Sequence, residues 1–128
     1  FFISPIVDME KLILDMMHCA DISEECLYEK KQIITQSGTV LSWEYLNYVR
    51  SHPIKWTVPT YILYGDKDNL TSIDTIKQFA DRVNADLTIM RNGEHWFHTE
   101  EQMQFLDQWI RSYMKTISIN EKSIDNIN

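Results

Sequence analysis

The sequence contains only three glycines, Gly38, Gly65 and Gly93, among its 128 residues. The glycine-rich loop of dinucleotide-binding proteins and the P-loop both need glycines much closer together than these. Neither motif can be built from this chain. We therefore expect no nucleotide cofactor, and no other cofactor is predicted.

The sequence also lacks a basic cluster and a long apolar run. Its formal net charge is −7 at pH 7, and basic residues occur in groups no larger than pairs such as Lys30-Lys31. Nucleic-acid binding needs a concentrated positive face, and a membrane span needs about 20 consecutive apolar residues. We expect neither nucleic acid nor a membrane as a partner.

Only two cysteines are present, Cys19 and Cys26. On one continuous helix their separation corresponds to a rise of about 10 Å, which a disulfide cannot span. Reduced thiols favour a cytoplasmic location.

Residues 1–56 predict one strand followed by three helices. The opening Phe1-Phe2-Ile3 is typical of the middle of an apolar strand, so we expect the sequence to begin inside a longer natural chain. Residues 1–4 indicate a short buried strand ending at Pro5, and later apolar positions repeat at helical spacing. The first predicted helix runs from Ile6 to Ala20. The second runs from the N-cap residue Ser23 to Ile34 and is followed by Gln36-Ser37-Gly38, and the third runs from the N-cap residue Ser42 to His52-Pro53.

Residues 57–115 predict two strands, each followed by a helix. Residues 60–64 form a dense apolar run that stops at Gly65 and indicates a central strand, and residues 87–90 indicate another. A helix is predicted over residues 73–83. The sequence Thr99-Glu100-Glu101-Gln102 fits a capping box at the start of a final helix.

This order of elements is typical of right-handed parallel crossovers. We predict an α/β fold with about three parallel strands, flanking helices and a helical cap formed by residues 6–56, hereafter the cap segment. Residues 1–115 are predicted to form one partial domain, in which residues 57–115 carry the last two strands and their loops. Residues 116–128 are predicted to be a frayed polar tail. So small a parallel sheet has open edges, and we expect self-association through one of them.

Two predicted loops follow strand ends, where open parallel sheets bind ligands. The first is Gly65-Asp66-Lys67-Asp68-Asn69, and the second is Asn92-Gly93-Glu94-His95-Trp96-Phe97-His98. An acid in one such loop can orient a histidine in the other and stabilise its protonated form during acyl transfer.

These segments resemble the last two triad-bearing segments of the α/β-hydrolase family. That family has an apolar strand, a glycine, two residues and the triad Asp, then a strand, a glycine and the triad His. The resemblance implies that Asp68 is the triad acid and His95 the general base. It also implies that Phe1-Phe2-Ile3-Ser4-Pro5 is the strand after the nucleophile helix and that the cap segment is the lid often inserted there.

One part of the family pattern is missing. The nucleophile elbow has the form Gly-x-Ser-x-Gly, and the three glycines of this chain cannot supply it. We expect the polypeptide by itself to be inactive as a serine hydrolase.

Other interpretations of the same residues remain open. Asp66 could replace Asp68 as the acid, although it more readily shapes the turn, and His95 with His98 has a spacing that can serve a metal. Trp96, Phe97, Met16 and Trp43 are candidate substrate-binding residues, and core packing is the alternative for each. No metal site is predicted.

The first functional hypothesis is therefore that the parent protein hydrolyses or transfers an acyl group from a small ester, thioester or amide. A non-catalytic binding module on the same scaffold is the alternative, and a metal-dependent hydrolase is a third. A Gly-x-Ser-x-Gly upstream of Phe1 would favour the enzyme.

Overall fold

The structure is a computed structural model that describes residues 1–125, with side chains described as far as residue 116. The elements follow in the order β1 (Phe2–Ile3), α1 (Met9–Cys19), α2 (Glu24–Lys30), β2 (Gln32–Ile34), β3 (Val40–Ser42), α3 (Trp43–Ser51), β4 (Tyr61–Gly65), α4 (Ile73–Val83), β5 (Asp86–Met90) and α5 (Glu100–Asp125).

The main sheet has three parallel strands in the order β1-β4-β5. The central strand β4 contains the fully buried residues Ile62 and Leu63 and the nearly buried Tyr64. A continuous apolar run is what a strand covered on both faces requires. The predicted α/β fold with three parallel strands and flanking helices is confirmed.

The two faces of the sheet carry different helices. Because side chains alternate along a strand, Ile62 and Tyr64 share one face and pack with Ile76 and Phe79 of α4. Leu63 points to the opposite face and packs with Met90 and with Trp109 of α5.

The first strand differs from its prediction as a buried strand. β1 lies at one end of the strand order and, within the described residues, pairs only with β4. Ile3 is 43% exposed. The apolar composition indicates a strand, but composition does not tell an edge strand from a central one.

The second helix is shorter than the sequence pattern predicts. α2 ends at Lys30, and Gln32–Ile34 pairs antiparallel with Val40–Ser42 as a two-stranded hairpin. Lys31 has a positive φ of 65°, which terminates the helix, and the β-branched residues that follow favour a strand. Gly38, at φ 85°, occupies the hairpin turn.

The cap segment has its own apolar cluster. Its fully or nearly buried members are Ile13, Met17, Leu27, Leu41 and Leu46, drawn from all three helices and the hairpin. On the outside, Arg50 of α3 donates to Glu10 of α1 and, through two nitrogens, to Glu24 of α2. One guanidinium therefore connects all three helices.

The predicted frayed tail is helical as far as it is described. α5 continues from Glu100 to Asp125, because no proline or glycine follows Gly93 to end it. Residues 126–128 lie outside the described residues. Among the helices described, none combines the length and the apolar character that crossing a membrane would demand.

Candidate active site

The two loops singled out from the sequence are neighbours at the carboxyl edge of the sheet. One follows β4 and the other follows β5, and these strands pair in parallel with Gly65 opposite Met90. The Asp66 amide donates to the Met90 carbonyl at 3.0 Å, and the Lys67 amide donates to the Gly93 carbonyl at 2.8 Å. Backbone hydrogen bonds thus hold residues 65–69, hereafter the acid loop, against residues 92–98, hereafter the histidine loop.

Two glycines allow this close approach. A Cβ placed on Gly65 would lie 2.3 Å from the carbonyl carbon of Gly93, and one on Gly93 would lie 2.9 Å from the Cα of Gly65. Neither glycine has a positive φ. These two positions therefore require glycine because the two backbones lie too close together for a side chain, and not because the backbone needs an unusual conformation.

Asp66 shapes the junction between the loops. Its Oδ1 accepts a hydrogen bond of 2.7 Å from the backbone N–H of Asn92, a residue with a positive φ of 58°. No hydrogen bond or ion pair joins Asp66 to His95 in the described part of the chain. Asp66 therefore stabilises the turn at Asn92 and is not the partner of His95.

Asp68 is the residue that meets the histidine. Its side chain is completely buried, and Oδ2 lies 2.9 Å from His95 Nδ1. Oδ1 accepts from the backbone N–H groups of Leu70 at 2.8 Å and Thr71 at 3.1 Å. The carboxyl group thus caps its own loop and orients the imidazole at the same time.

His95 is held through one ring nitrogen. Because a carboxylate can only accept, Nδ1 is the donor to Asp68. The side chain is 11% exposed, and the Trp96 ring packs edge-on against it with centroids 5.2 Å apart. No described residue bonds Nε2, which leaves that nitrogen available to a reacting group.

His98 points elsewhere. Its Nδ1 lies 2.7 Å from the Trp96 carbonyl oxygen and 3.2 Å from Glu94 Oε2, and its side chain is exposed. Within residues 1–116, no group of three or more His, Cys, Asp or Glu side chains is arranged to hold a metal ion. The spacing of the two histidines does not bring them into one ligand set.

The four candidate substrate-binding residues are not brought together. Trp96 is 75% exposed beside His95, whereas Phe97 packs against the Leu63, Met90 and Trp109 cluster. Trp43 packs against the cap cluster and meets the Tyr28 ring edge-on at 5.3 Å.

Met16 lines a cleft of about 710 Å³ between α1, the β2–β3 hairpin and the acid loop. Asn69 and Leu70, which immediately follow Asp68, form its near wall. His95, Trp96, Phe97 and Trp43 are not part of its lining. The cleft therefore adjoins the acid loop but does not contain the histidine.

Two residues that support the loops were not singled out from the sequence. The nearly buried Gln102 accepts from the His98 amide at 3.0 Å. The Tyr64 hydroxyl donates to the Thr71 carbonyl at 2.6 Å, and burial, followed by the charges of Asp68 and Asp66, raises the pKa of Tyr64. The capping pattern located Gln102, but only as a helix start, and no sequence signal marked the Tyr64 hydroxyl.

Ser4 is an unusual residue at the same edge of the sheet. It follows β1, its amide donates to the Leu63 carbonyl at 2.9 Å, and its φ is 43°. Its side chain is buried, and among the described residues nothing bonds its hydroxyl. A strained, unsatisfied polar residue of this kind is uncommon in protein interiors.

Comparison with known proteins relates the chain to one architecture. No family model matches the sequence, and no curated protein matches it significantly. The structure is similar to that of alpha/beta hydrolase domain-containing protein 10 from mouse, with a TM-score of 0.65 and 17% sequence identity. The match covers 90% of this chain and 51% of the mouse protein, so this chain spans about half of that protein's length. The chain has the fold of the C-terminal part of an α/β hydrolase.

Proposed function

We propose that the chain supplies the acid and the histidine of an acyl-transfer enzyme, which hydrolyses or transfers the acyl group of an ester, thioester or amide. The nucleophile comes from residues outside these 128. The observation that carries the proposal is the 2.9 Å contact between buried Asp68 Oδ2 and His95 Nδ1. Fold alone would not support it, because one fold hosts many functions.

His95 acts as the general base and then as the general acid. With Nδ1–H donated to Asp68, Nε2 carries the lone pair that removes the proton from the attacking hydroxyl. The same proton passes to the leaving group as the tetrahedral intermediate collapses, and a second cycle with water releases the acyl group. Asp68 fixes the ring orientation and stabilises the imidazolium that forms in each step.

The surroundings of His95 suggest which side chains touch the substrate. Trp96 is the candidate that contacts the His95 ring and keeps most of its surface exposed, so we assign it the substrate contact nearest the reacting atoms. Met16 contributes to the neighbouring cleft. Phe97 and Trp43 act by packing.

The test is to express the polypeptide with any residues encoded ahead of Phe1 and to measure kcat/KM on short p-nitrophenyl esters. We expect turnover by the longer polypeptide and none by the 128-residue chain. His95→Ala should lower kcat/KM of the longer polypeptide by at least about a hundredfold. His98→Ala is the matched control and should leave it unchanged.

Two outcomes would contradict the proposal. Turnover by the 128-residue chain that His95→Ala abolishes would show that the nucleophile is internal. A longer polypeptide with no Gly-x-Ser-x-Gly and no turnover would favour a non-catalytic binding module on the same scaffold.

A further inference from the structure

The cleft beside the acid loop has the size of a small-molecule site. Its volume of about 710 Å³ lies within the usual range for ligand pockets, roughly 300 to 1,000 Å³. Residues of α1 and the segment after it form one wall, the β2–β3 hairpin forms another, and the acid loop closes one side. The apolar part of the lining is Leu12, Met16, Ile22, Ile33, Ile34 and Leu70.

The charged residues of the lining have one sign. Asp15 and Asp21 are acidic, and no Lys, Arg or His belongs to the lining. Lys11 Nζ lies 2.6 Å from Asp15 and compensates that carboxylate. No described side chain pairs with Asp21. Asp21, which is exposed, therefore leaves one negative charge uncompensated beside a cleft whose lining is partly apolar and partly polar.

The end of α1 adds to this negative potential. Met16, Cys19 and Ala20 also line the cleft, and α1 ends at Cys19. The C-terminus of a helix carries the negative end of its dipole and favours a cation nearby. The helix terminus acts in the same direction as Asp21 but more weakly, because backbone N–H groups of residues 20–22 already bond the carbonyl oxygens of Met16, Met17 and His18.

We propose that this cleft binds an amphiphilic cation, with its apolar chain against the Met16 and Ile33 side of the cleft and its positively charged head near Asp21. The cleft does not contain His95, and the proposal does not depend on acyl transfer. A bound ligand would also touch Asn69 and Leu70. The Leu70 amide donates to Asp68 Oδ1, so a ligand would contact the segment that Asp68 holds in place.

The test uses the chain as it is, with three monomeric probes that share an octyl chain: octyltrimethylammonium, octanol and octanoate. Binding is followed by the amide resonances of Met16, Ile22 and Asn69 in a two-dimensional NMR titration. A single charge pair near a protein surface contributes modestly to the free energy of binding. We therefore expect octyltrimethylammonium to bind at least about fivefold more tightly than octanol, and octanoate to bind most weakly.

Two variants with matched controls locate the interaction. Asp21→Asn should remove the preference for the cation over octanol, while Asp81→Asn, which changes an exposed acid of α4, should keep it. Ile34→Lys adds a positive charge to the lining at a side chain that is 73% exposed, so the fold should tolerate it. It should weaken the binding of octyltrimethylammonium by about fivefold or more. Val58→Lys, at a 55% exposed site outside the lining, should leave this binding unchanged.

Three results would overturn the inference. Equal or tighter binding of octanoate would contradict the charge argument. Shifts of resonances away from the cleft would place the ligand elsewhere. Shifts of the cleft resonances that follow protein concentration without any probe would show that a second copy of the chain occupies the cleft. Because no turnover is measured, failure here leaves the acyl-transfer proposal untouched.

Discussion

Gly65 and Gly93 are in backbone contact, so close that a Cβ on Gly65 would lie 2.3 Å from both the carbonyl carbon and the carbonyl oxygen of Gly93. The contact joins the loop that carries Asp68 to the loop that carries His95. No flexible side chain is available there to move aside, because the clashing atoms belong to the backbone.

Gly65→Ala should therefore separate the two loops. We expect it to reduce the free energy of unfolding by at least about 3 kcal/mol, measured by urea denaturation. Gly38→Ala is the control, because a Cβ there meets open space and only the positive φ of 85° opposes it. That variant should lose about 1 kcal/mol. Equal losses for the two variants would show that the loop contact does not matter.

Asp68 should matter for stability as well as for chemistry. Asp68→Ala removes the acceptor of the Leu70 and Thr71 amides in a fully buried position. Leaving such groups unpaired should lower the free energy of unfolding by about 2 to 4 kcal/mol. Asp81→Ala, at an exposed site, should change it by less than about 0.5 kcal/mol. A similarly small loss for Asp68→Ala would contradict the observed hydrogen bonds.

The ion pair of Glu24 predicts a pH dependence. The hydrogen bonds from Arg50 lower the pKa of Glu24, so the folded protein binds this proton less readily than the unfolded chain does. The stabilisation is therefore present above the unfolded pKa of Glu24 and is lost as the pH falls through its lower pKa in the folded state.

Glu24→Gln should lower stability at neutral pH by at most about 1 kcal/mol, because the pair is substantially exposed and screened. The difference from the unmodified chain should disappear in acid. Glu25→Gln, at the neighbouring exposed acid with no ion pair among those described, should show a smaller effect, because it loses only the interaction with the helix dipole. A constant difference across pH would rule out the ion pair as its cause.

Among the described residues, β1 has one unpaired edge, which predicts self-association. Phe1 and Ile3 are 47% and 43% exposed there, and an unpaired strand edge can recruit another chain. Sedimentation velocity should show a concentration-dependent larger species that Ile3→Lys removes. Ile89→Lys, on β5 at the other end of the strand order, should leave it intact. A monomer at all concentrations would contradict self-association through β1. Loss of the larger species with Ile89→Lys instead of Ile3→Lys would contradict it as well.

The sheet and the helices beside it were predictable because their sequence signals are strong. The apolar run of β4 ends at a glycine, and the apolar positions of α4 keep one helical face. Parallel strands place their following loops at the same edge, so the approach of Asp68 to His95 could be expected from order alone.

The hairpin in the cap segment was not predictable from the same signals. Ile33 and Ile34 continue the apolar spacing of α2, so periodicity favours a longer helix. The break lies at Lys31, whose positive φ is unusual for a lysine and is not announced by a glycine or proline. The support from Tyr64 and Gln102 was also hidden, because a buried hydroxyl or amide is satisfied by tertiary contacts that sequence spacing does not reveal.

The most direct test of the central claim is the tautomer of His95, measured by long-range ¹H–¹⁵N NMR of the neutral imidazole. If Asp68 prepares His95 as a base, the proton resides on Nδ1 and Nε2 is unprotonated. Asp68→Asn, whose amide can donate to Nδ1, should raise the population of the Nε2–H tautomer, while Asp66→Asn should not. A predominant Nε2–H tautomer in the unmodified chain, or no response to Asp68→Asn, would contradict the account.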